Sequence, residues 1–203
     1  METDELKNLI LDKAKERFDR FGFKKTTMDE ISHDCKISKK TIYEHFKDKE
    51  DLFISLFIRE SRQVRDLIFA GISHIPDPLE RLIELIRSAI AYFRQDNFLT
   101  RLLKDDDALF SAFLTVKYHV ILEEELISLI ATIIAEGKAQ GKLRNVDEKV
   151  VAYVGLKLFQ SFSYMRTMPI SPEKDEQGYY TDALIDFMLH GLVKKDEALP
   201  GQQ

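Results

Sequence analysis

Apolar residues along this chain recur at steps of three and four almost from end to end, and little interrupts them. Leu6, Leu9, Ile10, Ala14, Phe18 and Phe21 open the pattern, which is the spacing of one face of an amphipathic helix. The 203 residues include only eight glycines and five prolines, well below the roughly 12% that these two supply in an average chain. Few turn-makers means few turns. With no alternating strand pattern, repeat or low-complexity tract in competition, the expected fold class is all-α.

Capping signals divide the pattern. Gly22 stands where a C-terminal cap would stop the first helix. Thr27 with Glu30 three residues on reads as a capping box for a short helix over residues 28–35. Ser38 is an N-cap candidate for a second short helix through Phe46. A longer helix is expected from Asp48 to Ala70, carrying Leu52, Phe53, Leu56, Phe57, Val64 and Leu67, with Gly71, Pro76 and Pro78 closing the unit. Further helices are expected over residues 78–95, 98–105, 108–139, 146–167 and 173–194. Gly137 and Gly141 mark one break, and Asn145 with Glu148 suggests a further capping box.

Net charge is −5, which argues against a dedicated nucleic-acid binder until the charge is mapped. Residues 20–49 hold eight basic and five acidic residues, a local +3, whereas residues 51–203 carry −5. A small basic element is attached to a larger acidic body. The single cysteine, Cys35, excludes an intrachain disulfide and a cysteine zinc cage, and suits a reduced intracellular setting. No uncharged stretch approaches the ~18 residues of a membrane span, and the acidic Met1–Glu5 does not resemble a signal peptide. The expectation is a soluble, cytoplasmic protein without a membrane partner. There is no Gly-rich phosphate loop, nucleophile elbow or His-Glu-x-x-His, so neither catalysis nor a cofactor is expected. His119 and Glu123 have a spacing that could support a metal, but a solvated helix face is the better reading, and no metal site is expected.

Two short capped helices about three residues apart, with lysines on the second, match a helix-turn-helix. A recognition helix of this kind fits the major groove, with residues near its N-terminus at the base edges and lysines on the phosphates. The full stretch is more specific. Ile10, Ala14, Phe18, Gly22, Thr26-Thr27, Ile31, Ser38, Thr41-Ile42-Tyr43, His45-Phe46, Lys49-Glu50 and Leu52 fall at spacings that resemble the N-terminal domain of the tetracycline-repressor (TetR) family. Downstream, Glu136-Gly137 with Gly141 and Arg144 resembles the end of that family's long helix, and His190-Gly191-Leu192 its closing helix.

The resemblance implies an all-α homodimeric repressor. A three-helix DNA-binding domain over residues 1–47 would join, through a linking helix at 48–71, an effector-binding and dimerisation domain over 48–203. Its partners would be double-stranded operator DNA, a second copy of the chain, and a small apolar or aromatic effector. By position, Thr27 would cap the second helix beside a phosphate. Lys39, Lys40 and Thr41 would face the groove, and Tyr43, His45 and Lys49 would meet phosphates. Lys25, Thr26, Ser38 and Lys47 complete the candidate DNA-binding set. Two positions depart from the family pattern. Cys35-Lys36 stands where Ala-Gly is usual, and lysine at a site that favours positive φ costs about 1 kcal/mol relative to glycine. Lys40 occupies a position that is often small, and could donate to a guanine or snorkel to a phosphate. Phe46 reads as core, and Cys35 as a buried inert thiol.

In the acidic body, the helix expected at 146–167 is apolar nearly all round, as is the last helix. One face of each can pack within the subunit and the other across a two-fold axis. The candidate interface residues are Val151, Val154, Leu158, Leu184, Phe187, Met188 and Gly191, with Gly155 and Gly191 permitting close approach. Aromatic residues suggest an effector pocket from Tyr92, Phe93, Phe113, Tyr118, Phe159 and Phe162. A helical protein-protein adaptor without DNA binding is the alternative, opposed by Tyr43, Lys49 and the local +3.

Overall fold

The structure, a computed structural model, describes residues 3–104, 122–163 and 179–193. These residues form α1 (Thr3–Lys25), α2 (Met28–Asp34), α3 (Lys39–His45), α4 (Lys49–Ile72), α5 (Pro78–Arg94), α6 (Phe98–Lys104), α7 (Glu124–Ala139), α8 (Glu148–Ser163) and α9 (Tyr179–His190). The one β-type pairing among them is an isolated bridge between Leu143 and Val193. No described helix is long and apolar enough to cross a membrane.

Three sequence boundaries are corrected. The helix expected to stop at Gly22 breaks there, at φ 79°, but resumes for a further turn to Lys25. Gly71 lies inside α4 instead of ending it. The start of α8 is capped by Asp147, whose carboxylate accepts from the Val150 N–H at 3.0 Å. The Glu148 carboxylate, expected to pair with Asn145, instead takes the Lys138 ammonium.

The chain divides into two compact units, one including Met1–Gln63 and the other Val64–Asp105 and Glu123–Gln203. In the first, α1, α2, α3 and the start of α4 enclose Ile10, Leu11, Ala14, Phe18, Ile31, Ile42, Phe46, Leu52, Leu56 and Phe57. Most of the periodic residues of the sequence thus supply the core, but Phe21 and, farther along α4, Leu67 are exposed. The rings of Phe18, Phe23 and Phe53 meet with centroids 5.6, 5.3 and 5.0 Å apart.

The second unit is a bundle of α5, α7, α8 and α9 with α6 and the end of α4. Its core holds Ile72, Leu79, Leu82, Ile86, Ile134, Leu143, Ala152, Leu184, Ile185 and Leu189. One end is cross-linked by polar contacts. Arg81 at the start of α5 donates to Glu136 at 2.8 Å and to the Ile75 carbonyl at 3.0 Å. Lys142 pairs with Asp77, and Lys138 with Glu148 and the Val146 carbonyl. The Arg144 N–H donates to the Leu192 carbonyl at 2.9 Å. At the opposite end, Arg94 on α5 reaches the Thr181 hydroxyl at 3.2 Å, and Phe93 meets Phe159 of α8 with centroids 6.2 Å apart.

Candidate nucleic-acid interface

The α2–α3 pair is built by its caps. The Glu30 N–H donates to Thr27 Oγ1 at 3.3 Å, and the Glu30 carboxylate accepts from the Thr27 N–H and hydroxyl, each at 2.9 Å. This is the capping box expected from sequence. The Thr27 backbone and hydroxyl donors hold the Glu30 carboxyl below its usual range. Arg17 of α1 braces α2 from the side, donating to Asp34 at 2.5 and 3.1 Å and lying 3.3 Å from Glu30. That guanidinium keeps the Asp34 carboxyl below the usual carboxylate range.

Between the helices, Lys36 adopts φ 55°, the only non-glycine residue with positive φ among those described. Its N–H donates to the His33 carbonyl, and the Ile37 N–H to the Ser32 carbonyl, both at 3.0 Å. The turn therefore closes as a glycine would close it, and the lysine bears the strain. Cys35 beside it is buried, and burial pushes its thiol up to about 11. A thiol so protonated is a poor nucleophile, as the sequence reading expected.

Ser38 caps α3, accepting from the Thr41 N–H at 3.1 Å, with the two hydroxyls 2.8 Å apart. Ile42 and Phe46 face the core. The rest of the helix faces out. Lys39, Lys40 and Lys47 are exposed, His45 and Thr41 half-buried, and Tyr43 is 50% exposed. A tyrosine left in water beside lysines suits contact with a polyanion better than packing. Lys39 pairs with Asp29, and Lys40 lies 3.8 Å from Glu44. Such exposed pairs are weak and are readily exchanged for phosphates. Lys25 is also exposed.

Of the residues expected on this surface, one is buried and one, half-buried, is engaged with backbone carbonyls. Thr26 is fully buried, its hydroxyl donating to the Gly22 carbonyl at 2.9 Å, so its side chain closes the broken end of α1. The Lys49 ammonium donates to the carbonyls of Phe23 and Thr26, each at 2.9 Å, and lies 4.3 Å from the centre of the Phe23 ring.

In the second unit, Tyr92, Phe93 and Phe159 come together, with Tyr92 edge-on to Phe93 at 5.3 Å. Phe113, Tyr118, His119 and the side chain of Phe162 lie outside the described residues. Glu123, read from sequence as part of a solvated helix face, is instead buried at the same end. The buried Glu123 carboxylate accepts from Lys157 at 2.6 Å and from the Gln160 amide at 3.0 Å. The hydroxyl of buried Thr100 on α6 has no partner among the described residues. Scattered over three helices, these residues leave no motif in the sequence.

The interface candidates divide. Val154, Leu158 and Phe187 are exposed, Phe187 by 68%, and Val150 and Tyr153, not singled out from sequence, join them. Leu184 instead belongs to the core of the second unit, and Val151 is half-buried against it. Met188 covers Gly155 within the subunit, where an added Cβ would come within 3.0 Å of its Cε, so that close approach is internal. Gly191 is exposed.

Residues 10–56 match the family described as bacterial regulatory proteins, tetR family. The chain is 30% identical over 156 residues to the uncharacterized HTH-type transcriptional regulator YhgD of Bacillus subtilis (strain 168), covering 75% of this chain and 80% of that protein. Among solved structures it resembles a SmeT–triclosan complex, with TM-score 0.69, 19% identity and coverage of 97% and 96% of the two chains. It also resembles AibR in complex with isovaleryl coenzyme A and operator DNA, with TM-score 0.59, 21% identity and coverage of 90% and 97%. Those two likenesses show a shared fold, and the relative in Bacillus carries the kinship in sequence. With its capped α2–α3 pair and helical second unit, this chain belongs to the TetR family of transcriptional regulators.

Proposed function

We propose that the protein is a ligand-responsive repressor that binds palindromic operator DNA as a homodimer and is released by a small-molecule effector. The observation that carries the reading is α3, a capped helix that sends Lys39, Lys40 and Tyr43 into solvent, with Lys47 exposed just beyond it, while Ile42 and the C-cap Phe46 hold it to the core. Residues 1–47 would form the DNA-binding domain and residues 48–71 the link to the sensing domain. The likeness to AibR, solved with both a coenzyme A ester and operator DNA, supports the pairing of the two ligands in one chain.

The exposed apolar face of Val150, Tyr153, Val154, Leu158 and Phe187 supports a two-fold interface made by α8 and α9. Two-fold symmetry would set the recognition helices about one DNA turn apart, or a multiple of it. The effector would bind where Tyr92, Phe93 and Phe159 gather, its polar group near Thr100 or the Glu123–Lys157–Gln160 cluster. Its role is to shift the population towards a conformer whose recognition helices have the wrong separation. No chemical turnover is needed.

The test is selection from a random duplex pool followed by footprinting. A two-fold symmetric footprint is the expected result, and salt-insensitive or absent binding would refute the reading. Tyr43→Ala should weaken all duplexes by a similar factor, whereas Lys40→Ala should change the preferred sequence if Lys40 reads a base. Light scattering should give twice the chain mass of 23.6 kDa, and Phe187→Arg should return it to that of one chain.

A further inference from the structure

Lys49 is the first residue of α4. A cation is electrostatically disfavoured at a helix N-terminus and favoured at a C-terminus. Here it serves the C-terminus of a different helix. Its ammonium donates at 2.9 Å to the carbonyls of both Phe23 and Thr26 and lies over the Phe23 ring. The same corner is closed by the Thr26 hydroxyl on the Gly22 carbonyl and by the Thr26 N–H on the Phe23 carbonyl. Thr27, next in the chain, begins the capping box of α2. One ammonium thus joins the end of α1, the start of α2 and the start of α4.

A second attachment lies three turns along α4. The buried Glu60 takes the Lys15 ammonium, and Arg59 reaches Asp12 at 2.8 Å and the Asn8 carbonyl at 3.4 Å. These partners lie between Asn8 and Lys15 of α1, and Phe23 lies at its end. The first three turns of α4 are therefore fixed to α1 at two separate points. Lys49 is the one beside the helix-turn-helix.

We propose that Lys49 is a positioning residue for DNA binding: it holds the α1–α2 corner against the start of α4 and contributes to affinity without contacting a phosphate. The proposal rests on the operator-binding reading and departs from the phosphate role that the family resemblance implies for this position. Without the tie, the corner samples arrangements in which α2 and α3 are misplaced. Apparent Kd then rises in inverse proportion to the competent fraction.

Lys49→Met removes the ammonium that lies over Phe23 and keeps an unbranched side chain of nearly the same length, so the corner stays filled while the two carbonyls lose their donor. The probe is the duplex that wild-type protein enriches from a random pool, titrated between about 50 and 200 mM salt. The expected result is a Kd raised roughly tenfold with the slope of log affinity against log salt unchanged. A slope shallower by about 0.9 per subunit would restore the phosphate contact and overturn the proposal. So would an unchanged Kd, which would leave Lys49 a purely local stabiliser. Amide exchange without DNA gives an independent arm: the Thr26 N–H should exchange faster in the variant, and an unchanged rate overturns the tie. Should wild-type protein enrich no duplex, the operator reading fails, and the Thr26 rate still decides whether Lys49 holds the corner.

Discussion

Lys36 offers a clean measurement of what the turn between α2 and α3 costs. At φ 55° its Cβ crowds the backbone, and a left-handed residue with a side chain bears a penalty of roughly 1–2 kcal/mol. Glycine removes that penalty but gains freedom in the unfolded chain, which takes back about 0.4–1 kcal/mol. The lysine charge also sits just past the end of α2, where the helix dipole favours it by a few tenths of a kcal/mol when exposed. Alanine lacks the charge but keeps the Cβ, so the comparison that isolates backbone strain is Lys36→Gly against Lys36→Ala. Glycine should be the more stable by about 1 kcal/mol. The Ile37 N–H, bonded to the Ser32 carbonyl across this turn, reports it through native-state exchange. Its protection should be about fivefold greater in the glycine variant. Equal protection in the two variants would show that the turn is unstrained and that the reasoning from φ is wrong.

Three further outcomes follow from the packing and the charges. Gly137→Ala should lower the urea midpoint by the equivalent of about 1–3 kcal/mol, because the new Cβ would lie 2.6 Å from Leu143 Cδ1; combined with Leu143→Ala, itself costly in this core, the total loss should fall short of the two single losses added together, and additive losses would refute the contact. Cys35, buried and with its thiol raised to about 11, should resist iodoacetamide at pH 8 in the native protein and react once urea unfolds it; prompt native labelling would contradict its burial. Asp34, held low by Arg17, contributes stability that is present above the usual carboxylate range and lost as pH falls below it. Asp34→Asn should therefore flatten the acid side of a stability–pH curve while lowering stability at pH 7, and an unchanged acid limb would remove the ion pair from the account.

The α2–α3 unit was legible at its helix starts, because each of them is set by a side chain bonding to its own neighbourhood. Thr27 with Glu30, and Ser38 with Thr41, need no distant partner to declare a helix start. Lys49 and Thr26 were legible as types but not as placements. Whether a lysine meets a phosphate or a carbonyl depends on how α4 crosses α1, which no local spacing encodes. The resumption of α1 after Gly22 was hidden for a related reason: the last turn is held by Lys49, from 23 residues beyond the Thr26 carbonyl it binds. The division of Leu184 from Phe187 was also out of reach. Both are apolar residues on a helix apolar on two sides, and only the packing angle assigns one to the core and the other to the surface. The Glu123–Lys157–Gln160 cluster joins residues more than 30 positions apart, with nothing in the intervening chain to announce it.

The polar cross-links at the Arg81–Glu136 end of the second unit have a consequence for how such a protein can change over generations. There, side chains and backbone from α5, α7, α8 and the end of α9 are joined by charge-assisted bonds and one β-type bridge. The aromatic end, where Phe93 meets Phe159, is joined by side chains, among them the Arg94–Thr181 bond and the Glu123–Lys157–Gln160 cluster. Substitutions there can alter the size and polarity of what fits between the helices while the far end keeps them in register. Under the proposed effector reading, a bundle whose far end keeps its helices in register can be refitted at the aromatic end by single substitutions.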